Sequence, residues 1–467
     1  MISVLSRFGL TGALVLASCA AQGPAALPRS SAIDEFLTKE LKALGAPGMS
    51  VAIVQKGQLV YARGFGYADL QTKTSAKPDT VFRIGSMTKQ FTATIIMQLV
   101  GERKLSLNTK LSEVLPDSPK AWGEVTVEQL LSHTAGIPNY TSSLAFLKMV
   151  QENVTVDHIN DSVRNLPLEF SPGSQWKYSN SGYILLGQII EKLTGKPYAE
   201  ELQRRILDPL GMHETYFVRE NVPVKNRASG YTFRNGAYSP AAFINMTWPY
   251  AAGSIESTVL DLAKWDAALY TNKVLPQSAL EQMWTPVRLT TGEEKNYGFG
   301  WIPSDLHGVR MVSHGGGIFG FASDIMRLPS IGLTVIVLTN WDIKSPEPLA
   351  LHLLAFLDSR LGAPATPAVE DKDAATTAFI KKTLSGFLEG KADPATVSPE
   401  LRAALTPEVV ESTKQLGPIQ SMELTRSRDQ GGLKMRTYRI TFANGTAIGD
   451  FTIDQKGVMI GALLHPG

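Results

Sequence analysis

The sequence predicts a mixed α/β (α+β) protein: an antiparallel sheet flanked by helices, a helical region inserted between the two parts of that sheet, and a small C-terminal α+β unit. Three observations carry this prediction. Residues 48–69, GMSVAIVQKGQLVYARGFGYAD, place apolar and β-branched runs on both sides of Lys56 and Gly57, the pattern of a hairpin, and a hairpin that early in the chain needs partner strands. Further strand-like runs come only much later, at NYGFGWIP (296–303), VRMVSHGG (309–316), FASDIMRL (321–328) and GLTVIVLTN (332–340), with short turns at Asp305, Gly308, Pro329 and Gly332. Between the two groups the apolar residues recur at helical spacing, so the sheet must be assembled from the two ends of one domain.

The elements follow in order. Residues 1–21, MISVLSRFGLTGALVLASCAA, carry Arg7 and then a short apolar run, the charge order of an export signal and too short for a membrane span. Leu16, Ala17 and Ser18 precede Cys19, the single cysteine, and this arrangement resembles the lipobox of bacterial lipoproteins. The resemblance implies cleavage before Cys19, lipidation of its thiol, membrane anchoring through Cys19, and a place on the periplasmic side of a bacterial cell envelope; the alternative is an ordinary signal cut near Ala20 or Ala21. Residues 22–32, rich in Ala, Gly and Pro, read as a tether, and the folded domain is expected over 33–361.

Within it, SMTKQFTATIIMQLV (86–100) repeats Phe91, Ile95 and Leu99 on one face and ends at Gly101, while YILLGQIIEKLTG (183–195) and STVLDLAKWDAALY (257–270) have similar periodicity. LALHLLAFLDSRL (349–361) follows the last strand and is expected to cover the sheet. Residues 362–374 read as a linker, and 375–467 as the small unit: amphipathic helices near 375–389 and 397–412, then three or four strands with turns at Gly431, Asn444–Gly445 and Gln455–Gly457.

Composition excludes some functions. Against 45 basic side chains stand 43 acidic ones, a formal charge of +2, and no basic stripe is interleaved with aromatics, so a nucleic-acid partner is excluded. No element carries His, Asp or Cys at metal-ligand spacing; Asp157 and His158 are merely adjacent. FGYADL and GGGIFG lack the strand, glycine turn and helix order of a nucleotide site, and no cofactor is expected. No heptad pattern sets an oligomeric state.

The chemistry concentrates in three stretches. FRIGSMTKQFTA (82–93) puts Ser86 and Lys89 one turn apart at a helix start, PGSQWKYSNSGYILLG (172–187) holds Tyr178 and Asn180 before a helix, and MVSHGGGIFGFASD (311–324) holds His314 with Gly315, Gly316 and Gly317 at a strand edge. These SxxK, YxN and HGG motifs, in that order and with LLSHTAGIP and DPLGM between them, resemble the penicillin-recognising serine hydrolases: class C β-lactamases, DD-peptidases, D-aminopeptidases and related esterases. The resemblance spans roughly residues 33–360, implies the β-lactamase/transpeptidase fold there, and does not reach the final unit.

It also implies roles. Ser86 becomes the acylated nucleophile, beside helix N-terminal donors that favour negative charge. Lys89 lowers the pKa of a neighbouring phenol or, when neutral, takes the serine proton. Tyr178 is the general base, and Asn180 bonds Lys89 and the substrate amide. His314 stands where lactamases and DD-peptidases have lysine; this fits the esterase, D-aminopeptidase and D-amino-acid amidase branches and leaves His314 to bond the tyrosine or the substrate. Gly315 and Gly316 let a substrate backbone lie along the strand, and the amides of Gly317 and Ser86 form the oxyanion hole. His133 of LLSHTAGIP is expected to bond within its own turn. Tyr140, Phe146, Tyr231, Phe243, Trp248 and Tyr250 either contact an apolar acyl group or pack their loops. The expected substrates are small esters first, amides or D-residue peptides next and β-lactams third; the alternative is a binding protein that acylates without turnover.

Overall fold

The computed structural model describes residues 27–218, 222–362, 368–389, 391, 393–404, 413–414 and 416–466. Cys19, the signal and most of the tether lie outside the described residues. The chain opens with helix α1 (Ser30–Leu44), then the hairpin of β1 (Gly48–Gln55) and β2 (Gln58–Asp69) and the short β3 (Thr74–Ser75). Lys56 and Gly57 both take positive φ, 51° and 73°, as a tight two-residue hairpin turn requires.

The inserted region supplies α2 (Thr88–Gly101), α3 (Asn180–Thr194) and α4 (Val259–Ala268). Strands β4 (Ile302–Leu306), β5 (Val309–Ile318), β6 (Phe321–Leu328) and β7 (Leu333–Thr339) then return, and α5 (Glu347–Leu357) follows. The seven strands lie in the order β4-β5-β6-β7-β1-β2-β3, all antiparallel, with β1 paired to β7 from Met49–Thr339 to Gln55–Leu333.

Because strand side chains alternate, β1 feeds two cores. Ala52 and Val54 join Ile336 and Leu338 of β7 under α2, α3 and α4, while Met49, Val51 and Ile53 join Val335 and Val337 on the face covered by α1 and α5. A strand buried on both faces reads as a continuous apolar run, which is why β1 and β7 are legible as VAIV and LTVIVL.

Two expectations need correction. The run 296–303 is a strand only from Ile302; Tyr297, Phe299 and Trp301 are buried instead in an inward loop. Aromatics alternating with glycines imitate the two-residue period of a strand, but here the glycines serve close approach: a Cβ on Gly300 would stand 2.7 Å from the Lys89 carbonyl oxygen. The helix expected from Ser86 begins with a 3₁₀ turn, Gly85–Met87, and ends at Gly101 as expected. Of the second C-terminal helix, expected near 397–412, Pro399–Ala404 is helical and residues 405–412 lie outside the described residues.

The C-terminal region otherwise holds α6 (Ala374–Leu388), α7 (Pro399–Ala404) and a four-stranded meander: β8 (Ile419–Gln430), β9 (Leu433–Phe442), β10 (Gly445–Ile453) and β11 (Met459–Pro466). Its core, including Ile380, Tyr438, Ile440 and Phe451, is separate from the other two. Among the described residues no helix is long and apolar enough to cross a membrane.

Candidate active site

Ser86 lies in the 3₁₀ turn that joins the short strand Phe82–Arg83 to α2. Strand β5 is pressed onto this turn. The Ser323 hydroxyl donates to the Ile84 carbonyl at 2.9 Å, and a Cβ on Gly316 would stand 2.0 Å from that same oxygen. The glycine is therefore required by the protein's own backbone rather than by a substrate. A Cβ on Gly315 would face the Asp324 carboxylate at 3.2 Å, whereas at Gly317 it would meet nothing within 4 Å, so Gly317 borders open space. Gly317 and Ser86 line one cleft of about 210 Å³.

Lys89, one helical turn on, is fully buried. Its Nζ lies 3.1 Å from Ser86 Oγ, 2.9 Å from Asn180 Oδ1 and 2.8 Å from the Ala252 carbonyl oxygen. Burial drives its pKa well below the usual lysine value. Two of the three partners can only accept. An ammonium would donate to all three partners, whereas a neutral amine, with two N–H groups and one lone pair, would satisfy Asn180 and Ala252 and turn the lone pair toward the Ser86 hydroxyl.

Tyr178 packs beside this group, with Lys89 Nζ 4.8 Å from its ring centroid. Burial pushes its phenol pKa up, and the adjacent Ser86 hydroxyl pulls the other way; the phenol therefore keeps its proton at neutral pH. Asn180 is the first residue of α3, and its N–H donates to Asn139 Oδ1 at 3.2 Å.

His314 does not reach Tyr178. Its Nδ1 donates to its neighbour Gly315's carbonyl at 2.6 Å, which leaves Nε2 to accept from the Tyr297 hydroxyl at 2.9 Å. Burial first, and Lys89 whenever it is charged, lower its pKa to about 3, so the imidazole is neutral. His133, expected to bond within its turn, instead accepts from the Ser179 N–H through Nδ1 at 3.3 Å. The aromatic side chains divide: Tyr140 and Phe146 line the cleft with Ile244, Ile318 and Phe319, while Trp248 packs behind Tyr140 and Phe146 and Tyr250 packs at a tilt against Tyr198. Tyr231 is buried in the core on the other face of the sheet, and Phe243 is exposed.

The sequence reading missed Tyr297, Asn139 and the Ala252 carbonyl. Tyr297 was hidden in a run that imitates a strand, and a carbonyl leaves no trace in side-chain identity. A larger cavity, about 690 Å³, opens at the far end of α2 beside Met97, Gln98 and Arg205. The smaller cleft brings together the Ser86 hydroxyl and the open backbone at Gly317, with the buried Lys89 amine 3.1 Å from Ser86 Oγ. Among the described residues no group of His, Cys, Asp and Glu could hold a metal.

Comparison with known proteins agrees with this fold. A β-lactamase family model matches residues 33–358. Penicillin-binding protein 4* of Bacillus subtilis (strain 168) is 30% identical over 372 residues, covering 75% of this chain and 81% of that protein. Among solved structures, the octameric penicillin-binding protein homologue from Pyrococcus abyssi is 27% identical with a TM-score of 0.65, covering 92% of this chain and 95% of that one. The D-amino acid amidase from Ochrobactrum anthropi SV3, complexed with L-phenylalanine amide, is 28% identical with a TM-score of 0.61, covering 71% and 97%. The fold, the order of the motifs and these matches place the chain in the β-lactamase family, within the superfamily of class C β-lactamases, penicillin-binding proteins and DD-peptidases.

Proposed function

We propose that the protein is a serine hydrolase that carries its acyl group on Ser86, with Lys89 as the first proton acceptor. The observation that carries this reading is the trio of partners around Lys89 Nζ, two obligate acceptors and one hydroxyl. The Ser86 proton passes to the neutral amine as Oγ bonds to the substrate carbonyl carbon. The oxyanion then faces the amides of Ser86 and Gly317. On collapse the leaving group takes the Tyr178 proton, and the Lys89 ammonium restores the phenol. Water attacks the ester by the reverse path. Tyr178 is thus a relay that starts protonated, which moves the initial base role from Tyr178 to Lys89.

The substrate reading follows from charge. The cleft wall of Tyr140, Phe146, Ile244, Ile318 and Phe319 is apolar, no charged side chain lines it, and neutral His314 is turned to Tyr297. A carboxylate, as on a β-lactam or a DD-peptide terminus, finds no cation in that wall. Esters and amides with an apolar acyl side fit it. The amidase relative crystallised with L-phenylalanine amide favours D-residue amides as the second class. Hydrolysis of p-nitrophenyl butyrate, D-phenylalanine p-nitroanilide and nitrocefin is expected in that descending order of kcat/KM. Nitrocefin as the best of the three would overturn the substrate reading; absence of turnover with a stable adduct by intact mass would favour the binding-protein alternative. Export and anchoring through Cys19 rest on the pattern of residues 1–21.

The base assignment has its own test. In Asn180→Asp a carboxylate replaces the amide oxygen beside Lys89, and an opposite charge at that distance raises the amine pKa by about one unit or more. The amine must be neutral to act, so the acid limb of kcat/KM should move to higher pH by a similar amount. A limb that stays in place would remove Lys89 as the base.

A further inference from the structure

One buried imidazole takes no part in the proton path. His133 is 2% exposed and sits at φ 61°, a left-handed conformation that few non-glycine residues adopt. Its backbone carbonyl accepts from the Lys177 N–H at 3.0 Å and its ring Nδ1 from the Ser179 N–H at 3.3 Å. Lys177 and Ser179 flank Tyr178, and the Tyr178 ring lies on the imidazole with centroids 4.3 Å apart. The same histidine therefore holds the backbone on both sides of the tyrosine and the ring itself.

The rest of the segment reinforces this seat. Ser179 Oγ donates to the Ile137 carbonyl at 3.0 Å, Asn180 N–H to Asn139 Oδ1 at 3.2 Å, and Ser181 Oγ to the Pro138 carbonyl at 2.7 Å. These bonds act after Tyr178; before it, the Lys177 side chain donates to Glu169 at 2.6 Å, and among the described bonds the one that holds the Lys177 backbone N–H is His133's. Tyr297 at 4.5 Å and Tyr183 at 5.3 Å also pack on the imidazole and crowd it in place. Nδ1 accepts, which puts the proton on Nε2, buried among these rings. Burial is the main cause that keeps it neutral, and Lys89 and His314 add to this only when they carry a proton's charge.

We propose that His133 is a positioning residue that fixes the Tyr178 hydroxyl beside Ser86, a role that rests on reading Tyr178 as the proton relay. The test compares kcat and KM on p-nitrophenyl butyrate for wild type, Tyr178→Phe, His133→Asn, His133→Gln and the His133→Gln/Tyr178→Phe double variant, each checked by thermal melting. Asn places Oδ1 where Nδ1 stands, whereas Gln carries its acceptor one bond too far. His133→Gln is expected to lower kcat about tenfold or more with KM changed less than about threefold, and His133→Asn to stay within about threefold of wild type. In the Tyr178→Phe background the Gln substitution should cost less than about twofold, because its target is gone. Equal losses in both backgrounds, or Asn no better than Gln, would overturn the proposal. A His133→Gln variant that does not fold leaves the decision to His133→Asn, whose loss of more than about tenfold would overturn it. Wild-type activity in Tyr178→Phe would instead remove the relay reading, and the role of His133 with it.

Discussion

Ser86→Ala is expected to abolish turnover of every substrate that the wild type hydrolyses, with kcat/KM reduced at least about a thousandfold. The loss should be chemical and not structural. Ser86 is half-buried at the cleft, its hydroxyl shares one hydrogen bond with Lys89, and the turn that carries it is held through the Ile84 carbonyl, which accepts from Ser323 of β6. Folding stability should stay within about 1 kcal/mol of wild type, as for a substitution that opens no cavity and strands no acceptor. Lys89 keeps both of its obligate acceptors in the variant. Steady-state kinetics, intact mass after incubation with a slow ester, and denaturant melts together check this. A variant that still acquires the acyl mass would place the nucleophile elsewhere.

Lys89→Met is the second large effect. Removing the proton acceptor should lower kcat by about 10²–10⁴-fold. It should also change how stability depends on pH. In the folded state burial depresses the Lys89 pKa, while in the unfolded chain the amine titrates near 10.4. Between those two values the unfolded chain binds the extra proton, so wild-type stability gains up to about 1.4 kcal/mol per pH unit as pH rises, a gain that ends near the unfolded pKa. Lys89→Met lacks that contribution. Chemical denaturation of both proteins from neutral pH to about 10 should show a stability difference that moves in favour of wild type with rising pH. A difference that stays flat would mean that Lys89 is protonated in the native site, and that it serves as a fixed cation.

The sheet and its helices were legible because their signals are local and strong. FASDIMRL coincides with β6 to the residue, and the Lys56–Gly57 turn announces the first hairpin. SxxK, YxN and HGG named side chains that the structure brings together at Lys89 and the cleft. Two kinds of feature escaped. Tyr297–Trp301 has the period of a strand, and only the close approach of the Lys89 carbonyl at Gly300 explains why it turns inward. His133 was assigned to its own turn because sequence shows which residues are adjacent and not which loops meet; that Ser179 lies against it follows from the docking of two segments more than forty residues apart. The direction of the pKa shifts at Tyr178 and Lys89 was hidden for a related reason: burial is a property of the assembled site.

The pairing of β1 with β7 has a consequence for biosynthesis. The central strand made first waits for a partner made almost at the end of the domain, with the whole catalytic insertion between them. Such long-range closure is slow and leaves apolar strand edges open until it is complete. A chain stopped before Leu333 would therefore expose β1 and misassemble, whereas a break of the backbone within an exposed inserted loop, such as the Asn235–Gly236 turn, leaves both halves joined through the sheet. Two separately produced fragments divided at that turn should find each other and rebuild one nucleophile site.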